Sequence, residues 1–232
     1  MENPVTDQAD GLRRLMAGNT GRCVTLVDGA TGTGACSVAR NLAAAHTQQG
    51  REVLLLDERT GPHPVPPARG GRLVLVDAVV DSHGALSPLA AGADHILVVC
   101  AAHSDTITQT YLCIKKLHYA HPLAKLRVLV NEAADPAQAR RLLANLAAAG
   151  SRFLGIALEP AGFVRADSFA AQARRLDLCV VQAFGASAAA RDFLQVASDL
   201  MRWPCPAIAD RMPSALSSQI TGHEIQSLAG LH

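Results

Sequence analysis

The strongest constraint on the fold is an alternation of short apolar bursts with longer Ala/Leu-rich stretches. The bursts are CVTLV (23–27), EVLLLD (52–57), RLVLVD (72–77), HILVVC (95–100), LRVLVN (126–131), RFLGIAL (152–158) and LCVVQ (178–182). Several are apolar without internal alternation, as strands covered on both faces must be. Helical spacing fills 35–49, 104–118, 137–148, 168–176 and 188–201. Strands alternating with helices predict an α/β fold: a doubly wound, mostly parallel sheet with helices on both faces. Ligands of such sheets lie beyond the carboxyl ends of the strands, so the loops after Val27, Asp57, Asp77, Cys100 and Asn131 are the places to look. Residues 59–71, RTGPHPVPPARGG, read as an irregular connection with no helix. That is short for a parallel crossover, so the strands it joins are expected to be antiparallel or far apart.

Composition narrows the function. A hydrophobic fraction of 49% against 18% charged residues excludes disorder over most of the chain. A net charge of +1 and 3% aromatics leave neither the basic surplus nor the stacking platforms of a nucleic-acid binder, so no direct nucleic-acid partner is expected. The six cysteines, Cys23, Cys36, Cys100, Cys113, Cys179 and Cys205, form no C-x-x-C pair and read as small hydrophobes in a reducing compartment. The start, MENPVTDQADGLRRL, has no apolar h-region, and no apolar run is long enough for a bilayer; the expectation is a cytoplasmic protein.

VDGATGTGACSVARNLA (27–43) has the outline of a phosphate loop: a strand, then Gly29, Gly32 and Gly34, then a helix. Its charged parts are missing. Ala35 stands where a lysine would neutralise phosphates, and Cys36 replaces the hydroxyl that binds Mg²⁺, for which a neutral thiol is a poor ligand. The same loop, with Asp57 closing the next strand, also suits the nicotinamide loop of a short-chain NAD(P)-dependent oxidoreductase. Tyr111 and Lys115 supply a Tyr-x-x-x-Lys pair for it, but too early in the chain and without a well-placed upstream serine. Asp81-Ser82-His83 reads as a switch-like loop, since sequence neighbours seldom present a nucleophile to a base. His118 and His121, near a helix end, read as a solvated cap, and no metal ligands and no catalytic residues are assigned.

Ahead of the first strand, TDQADGLRRL (6–15) is an amphipathic helix: Asp7 caps it, Asp10 suits its first turn, and Ala9, Leu12, Leu15 and Met16 share a face. The sheet does not need this helix, which makes it a candidate to dock on a partner. The segment resembles the DQAxxLR start of FlhG/FleN proteins, the MinD/ParA-type ATPases that control flagellar number and placement. Further stretches resemble that family too: GATGTGACSVARNLA at its deviant Walker loop, EVLLLDER at its Asp-x-Asp strand, LVDAVVDSHGALSPLAAGADHILVVCAAHSDTITQTYLCIKKL at its Walker B and switch region, and GFVRADSFAAQARRLDLCVVQAFGASAAARDF in its C-terminal part.

The resemblance implies a MinD/ParA-like P-loop domain over 20–203, a partner-binding helix over 1–19 and a tail over 204–232. Carried onto this chain, the family's signature lysine falls on Ala30, its phosphate lysine on Ala35 and its Mg²⁺ ligand on Cys36, while the second acid of Asp-x-Asp falls on Arg59. Asp57, Asp77 and the base-contacting Asn131 survive. A degenerate nucleotide loop of Gly29, Gly32, Gly34, Ala35, Cys36, Asp57, Asp77 and Asn131 is therefore expected, with ATP hydrolysis lost and no cofactor, ATP–Mg being the alternative. By the same resemblance, Asp7, Gln8, Ala9, Leu12, Arg13 and Leu15 contact an FlhF-type GTPase. A flagellar transcription activator is a second implied partner, a homodimer and recruitment to the flagellated pole are left open, and a membrane contact of the tail is not favoured. An active ATPase with an unorthodox loop and the oxidoreductase are the competing functions.

Overall fold

In a computed structural model, which describes residues 21–61 and 72–204, the apolar bursts line up as six parallel strands. They are β1 (Arg22–Asp28), β2 (Val53–Asp57), β3 (Leu73–Asp77), β4 (His95–Ala101), β5 (Leu126–Ala133) and β6 (Glu159–Arg165), in the sheet order β2-β3-β1-β4-β5-β6. The helices are α1 (Ala35–Gln48), α2 (Pro88–Ala91), α3 (Ser104–Ala120), α4 (Pro136–Leu154), α5 (Ser168–Arg175), α6 (Val180–Ala183) and α7 (Ala188–Leu200). The expected partner helix with Asp7, Gln8, Ala9, Leu12, Arg13 and Leu15 lies outside the described residues. So do most of the proline-rich connection and all of the tail beyond Pro204.

Successive residues of β1 point to opposite faces, so each strand feeds two cores. Val24 and Leu26 join Leu73, Leu75, Leu97, Val99 and Leu129 beneath α1, α5, α6 and α7. Cys23 and Val27 join Val74, Val76, Ile96, Val98 and Val128 beneath α2, α3 and α4. This double cover explains why the central strands carry no polar alternation. Cys23, Cys36, Cys100, Cys113 and Cys179 are free thiols, and three of them, Cys23, Cys100 and Cys179, are buried.

Three expectations are corrected. First, β2 and β3 are neighbours and parallel, with Asp57 opposite Asp77. A connection of this length can extend to about 3.3 Å per residue, ample to return past a five-residue strand. Second, residues 152–154 end helix α4 rather than open a strand. Gly155, at φ 67°, supplies the left-handed cap, and the strand follows at Glu159–Arg165. Pro160 is tolerated there because β6 lies at the sheet edge, where the ladder is broken by a register shift. Third, Val180 and Val181 belong to a short helix, not a strand: the Val181 amide donates to Asn41 Oδ1 on α1 at 3.3 Å, and both valines are buried. A short apolar run has no period that separates the two outcomes.

Candidate functional site

The site forms at the carboxyl edge of β1, β2, β3 and β5. Asp28 ends β1, residues 29–34 form the loop, and α1 begins at Ala35 with Gly34 (φ 90°) before it. That backbone angle suits glycine, and a Cβ on Gly34 would also lie 2.9 Å from Asn131 Nδ2. At Gly29, a Cβ would sit within 2.8 Å of the Thr110 side chain and the Val99 carbonyl, so the strand-to-loop exit is closed to any side chain.

A helix N-terminus normally offers its free amides to an anion. Here the anion comes from the chain itself. The Ala35 amide donates to Asp28 Oδ1 at 2.9 Å, and the Thr33 hydroxyl donates to the same oxygen at 2.7 Å. The Thr33 carbonyl accepts from Asn131 Nδ2 at 3.0 Å. Asn131, brought by β5 and 6% exposed, thus spends its amide on holding the loop.

The cation is also built in. Arg59 stands on a 3-10 turn, Glu58–Thr60, capped by Asp57, whose carboxylate accepts the Arg59 amide at 2.9 Å. The guanidinium hydrogen-bonds Asp77 Oδ2, and lies 3.5 Å from Asp57 and 3.4 Å from Asp28. One side chain therefore ties together the acids that end three strands. Asp77 is 1% exposed, and burial pushes its carboxyl up from the ordinary value while the Arg59 hydrogen bond and charge oppose that. Burial also pushes the Cys36 thiol up, helped by the adjacent Asp77. Ligand atoms of Cys36, Asp57 and Asp77 all lie within 4.8 Å of one another, a cluster not foreseen from the sequence.

On the far side of Gly34 and Cys36 opens a cavity of about 700 Å³, walled by Arg40, Asn131, Glu132, Arg165 and Arg174 among others. Its arginines are engaged: Arg40 with Asp177 at 2.6 Å, Arg165 with Asp192 at 2.7 Å and Arg174 with Glu132 at 2.9 Å. Glu132 itself has φ 56°, at the point where the β5–β6 register shifts.

Of the residues singled out from the sequence, Gly29, Gly34, Ala35, Cys36, Asp57, Asp77 and Asn131 converge on one edge of the sheet. Gly32, at φ 80°, shapes the loop without a close neighbour. Tyr111 packs half-buried on α3 with Lys115 exposed. The Asp81 carboxylate accepts the amides of His83 and Ala85, at 2.8 and 2.7 Å, and organises its own loop. His121, expected to be a solvated cap, accepts the Leu86 amide at 3.2 Å and pins that loop to α3. Two contributors were not read from the sequence: Asp28 as the internal anion, and Arg59 as an inserted cation rather than merely a lost acid. The available signals were the acid directly before Gly29 and the reversed charge two residues after Asp57.

Comparison with known proteins bears on this edge. The antiactivator FleN of Pseudomonas aeruginosa is 31% identical over 135 residues, which are 58% of this chain and 48% of FleN, so the chain spans about half the length of the curated relative it matches. No family model matches. Among solved structures, the MinD cell division protein of Aquifex aeolicus superposes with a TM-score of 0.60 at 16% identity, covering 80% of this chain and 98% of that one. MinD of Pyrococcus horikoshii, complexed with Mg-ADP, gives 0.57 at 12% identity, covering 78% and 96%. An ATP complex of a McdA variant from Cyanothece gives 0.56 at 9% identity, covering 82% and 100%. The chain shares the fold of the MinD structures, and over 58% of its length it is similar in sequence to FleN.

Proposed function

We propose that this chain is a FleN-type regulator of flagellar number or placement that acts by protein contact and has given up ATP turnover. The observation that carries this reading is the ion network of Arg59 with Asp28, Asp57 and Asp77, together with the Asp28–Ala35 bond. A magnesium-bound triphosphate needs amides and a lysine for its phosphates, and a hydroxyl and acids for its ion. Here an amide faces a carboxylate, the acids face a guanidinium, and Ala35 and Cys36 replace the lysine and the hydroxyl. Such a ligand does not fit these residues, and no hydrolytic step is derived through it.

The partners follow from the sequence resemblance. An FlhF-type GTPase is met through residues 1–19, with Gln8 toward its nucleotide, and a flagellar transcription activator is a second partner. Partner binding has a precedent in this fold, since MinD of Aquifex aeolicus has been solved in complex with MinC.

A working ATPase is the second reading, favoured by the Mg-ADP and ATP complexes of the structural neighbours and by the 700 Å³ cavity beside Gly34. The oxidoreductase is disfavoured by topology. In the dinucleotide fold the acid-bearing second strand adjoins the first, in the order 3-2-1-4-5-6, whereas here β3 separates β2 from β1.

Titration of the full chain with ATP–Mg²⁺, ADP and NADH, followed by melting temperature and phosphate release, tests the reading. No shift and no phosphate above blank are expected; an ATP shift with phosphate release overturns it. For the partner, retention of FlhF in a pull-down is expected to be lost when residues 1–19 are deleted, and FlhF that is never retained refutes that part.

A further inference from the structure

We propose that Cys36, Asp57 and Asp77 form a site for a thiophilic divalent cation of the zinc type, held shut by the Arg59 guanidinium. The donor set is one sulfur and two carboxylates, with ligand atoms within 4.8 Å of one another. Three protein ligands with an open fourth position are a zinc arrangement, and a thiolate among them turns the preference from hard Mg²⁺ toward borderline and soft ions. A second observation points to a ligand here. Asp77 is 1% exposed, one of its oxygens takes Arg59, and the other, Oδ1, is buried with no hydrogen-bond partner among the described residues. A buried carboxylate oxygen left unpaired is costly, and a bound cation would satisfy it.

Arg59 is suited to be displaced. Its guanidinium serves the same two carboxylates the ion would use, yet its side chain is 40% exposed and can leave for solvent without opening the core. A divalent ion replaces that single charge with two, and Cys36 binds as thiolate with its proton released to solvent. Asp28 Oδ2, 3.4 Å from Arg59, adds a further negative charge at the rim.

The test uses Cd²⁺ and Co²⁺ as probes on the full chain, read by sulfur-to-metal charge-transfer absorption, with calorimetry for stoichiometry. Arg59→Gln is expected to bind one ion per chain, at least roughly tenfold more tightly than the unaltered protein, because a like charge has been removed from contact distance. Cys36→Ser is expected to abolish the band in both backgrounds, which separates Cys36 from the remaining cysteines. Circular dichroism establishes that each variant is folded; if Arg59→Gln is not, Arg59→Met, which also removes the charge but keeps an unbranched apolar stem, takes its place with the same expected direction. Absence of a Cys36-dependent band in the Arg59 variant, or equal affinity with and without Arg59, overturns the proposal. Because no nucleotide is present, the outcome is independent of whether ATP binds.

Discussion

The Asp28 carboxylate and the Ala35 amide meet at 2.9 Å, so the loop turns its helix N-terminus inward onto the end of its own strand. A carboxylate at a helix N-terminus gains from the helix dipole as well as from the hydrogen bond, and here the Thr33 hydroxyl adds a second donor. Asp28→Ala removes both bonds and is expected to lower unfolding free energy by about 1–3 kcal/mol. Asp28→Asn keeps an acceptor but loses the charge, and about half of that loss is expected. Urea titration at neutral pH measures both; a neutral effect of Asp28→Ala would mean that the loop does not depend on its internal anion.

The Arg59–Asp77 pair makes stability depend on pH. Burial raises the Asp77 carboxyl above its ordinary value, so the folded state holds this proton to a higher pH than the unfolded chain does. The stability from the protonated acid is complete below the unfolded value and is lost as pH rises through the raised one. Arg59 opposes that loss. Arg59→Gln should therefore destabilise by about 1–3 kcal/mol at pH 7, a figure discounted from a fully buried pair because Arg59 is 40% exposed. The deficit should shrink as pH falls toward the Asp77 range. Denaturation of the two proteins across pH 4 to 8 checks this, and a deficit constant with pH would assign Arg59 a role unrelated to Asp77.

The parallel sheet was legible because Leu73–Val76, Ile96–Cys100 and, Thr25 apart, Val24–Val27 are apolar on both faces, as doubly covered strands are, and because such runs alternate with stretches of helical spacing. The glycines and the two strand-ending acids marked the right edge of that sheet. What the residues alone concealed is pairing at a distance. That Arg59 reaches Asp28, Asp57 and Asp77 follows from β2 and β3 running parallel in register, the arrangement the short connection argued against. Val180-Val181 was misread for a related reason: its amide bonds to Asn41 on α1, a contact no local period encodes.

Gly34 and Asn131 offer a double-mutant test of how the loop is held. Gly34→Ala places a Cβ 2.9 Å from Asn131 Nδ2 at φ 90°, so steric and backbone strain add, for an expected loss of about 2–4 kcal/mol. Asn131→Ala removes the bond to the Thr33 carbonyl and should cost about 1–2 kcal/mol. Combined, the two should cost less than their sum by about 1 kcal/mol, since the alanine at 131 removes the clash but not the backbone strain. Strict additivity in thermal or urea denaturation would show that the two side chains do not compete for the same space.

His46 sets the acid limit of the fold. It lies at 0% exposure in α1, and neither ring nitrogen has a hydrogen-bond partner among the described residues. Burial first, then the charges of Arg51 and Arg22, lower its pKa to about 4. The unfolded chain takes up the proton near the ordinary value of 6.5 while the folded chain refuses it until about 4, so stability is intact above 6.5 and drains as pH falls between the two. At about 1.36 kcal/mol per pH unit, this one residue accounts for roughly 2 kcal/mol by pH 5. His95, also lowered to about 4 by burial despite its bond to the Pro204 carbonyl, adds a slope of similar size. His46→Leu conserves apolar volume and removes the unpaired nitrogens, so it should match or exceed the original stability at pH 7 and lose roughly half as much on going to pH 5. Urea midpoints at the two pH values decide the matter: an unchanged pH slope in His46→Leu would place the acid sensitivity elsewhere.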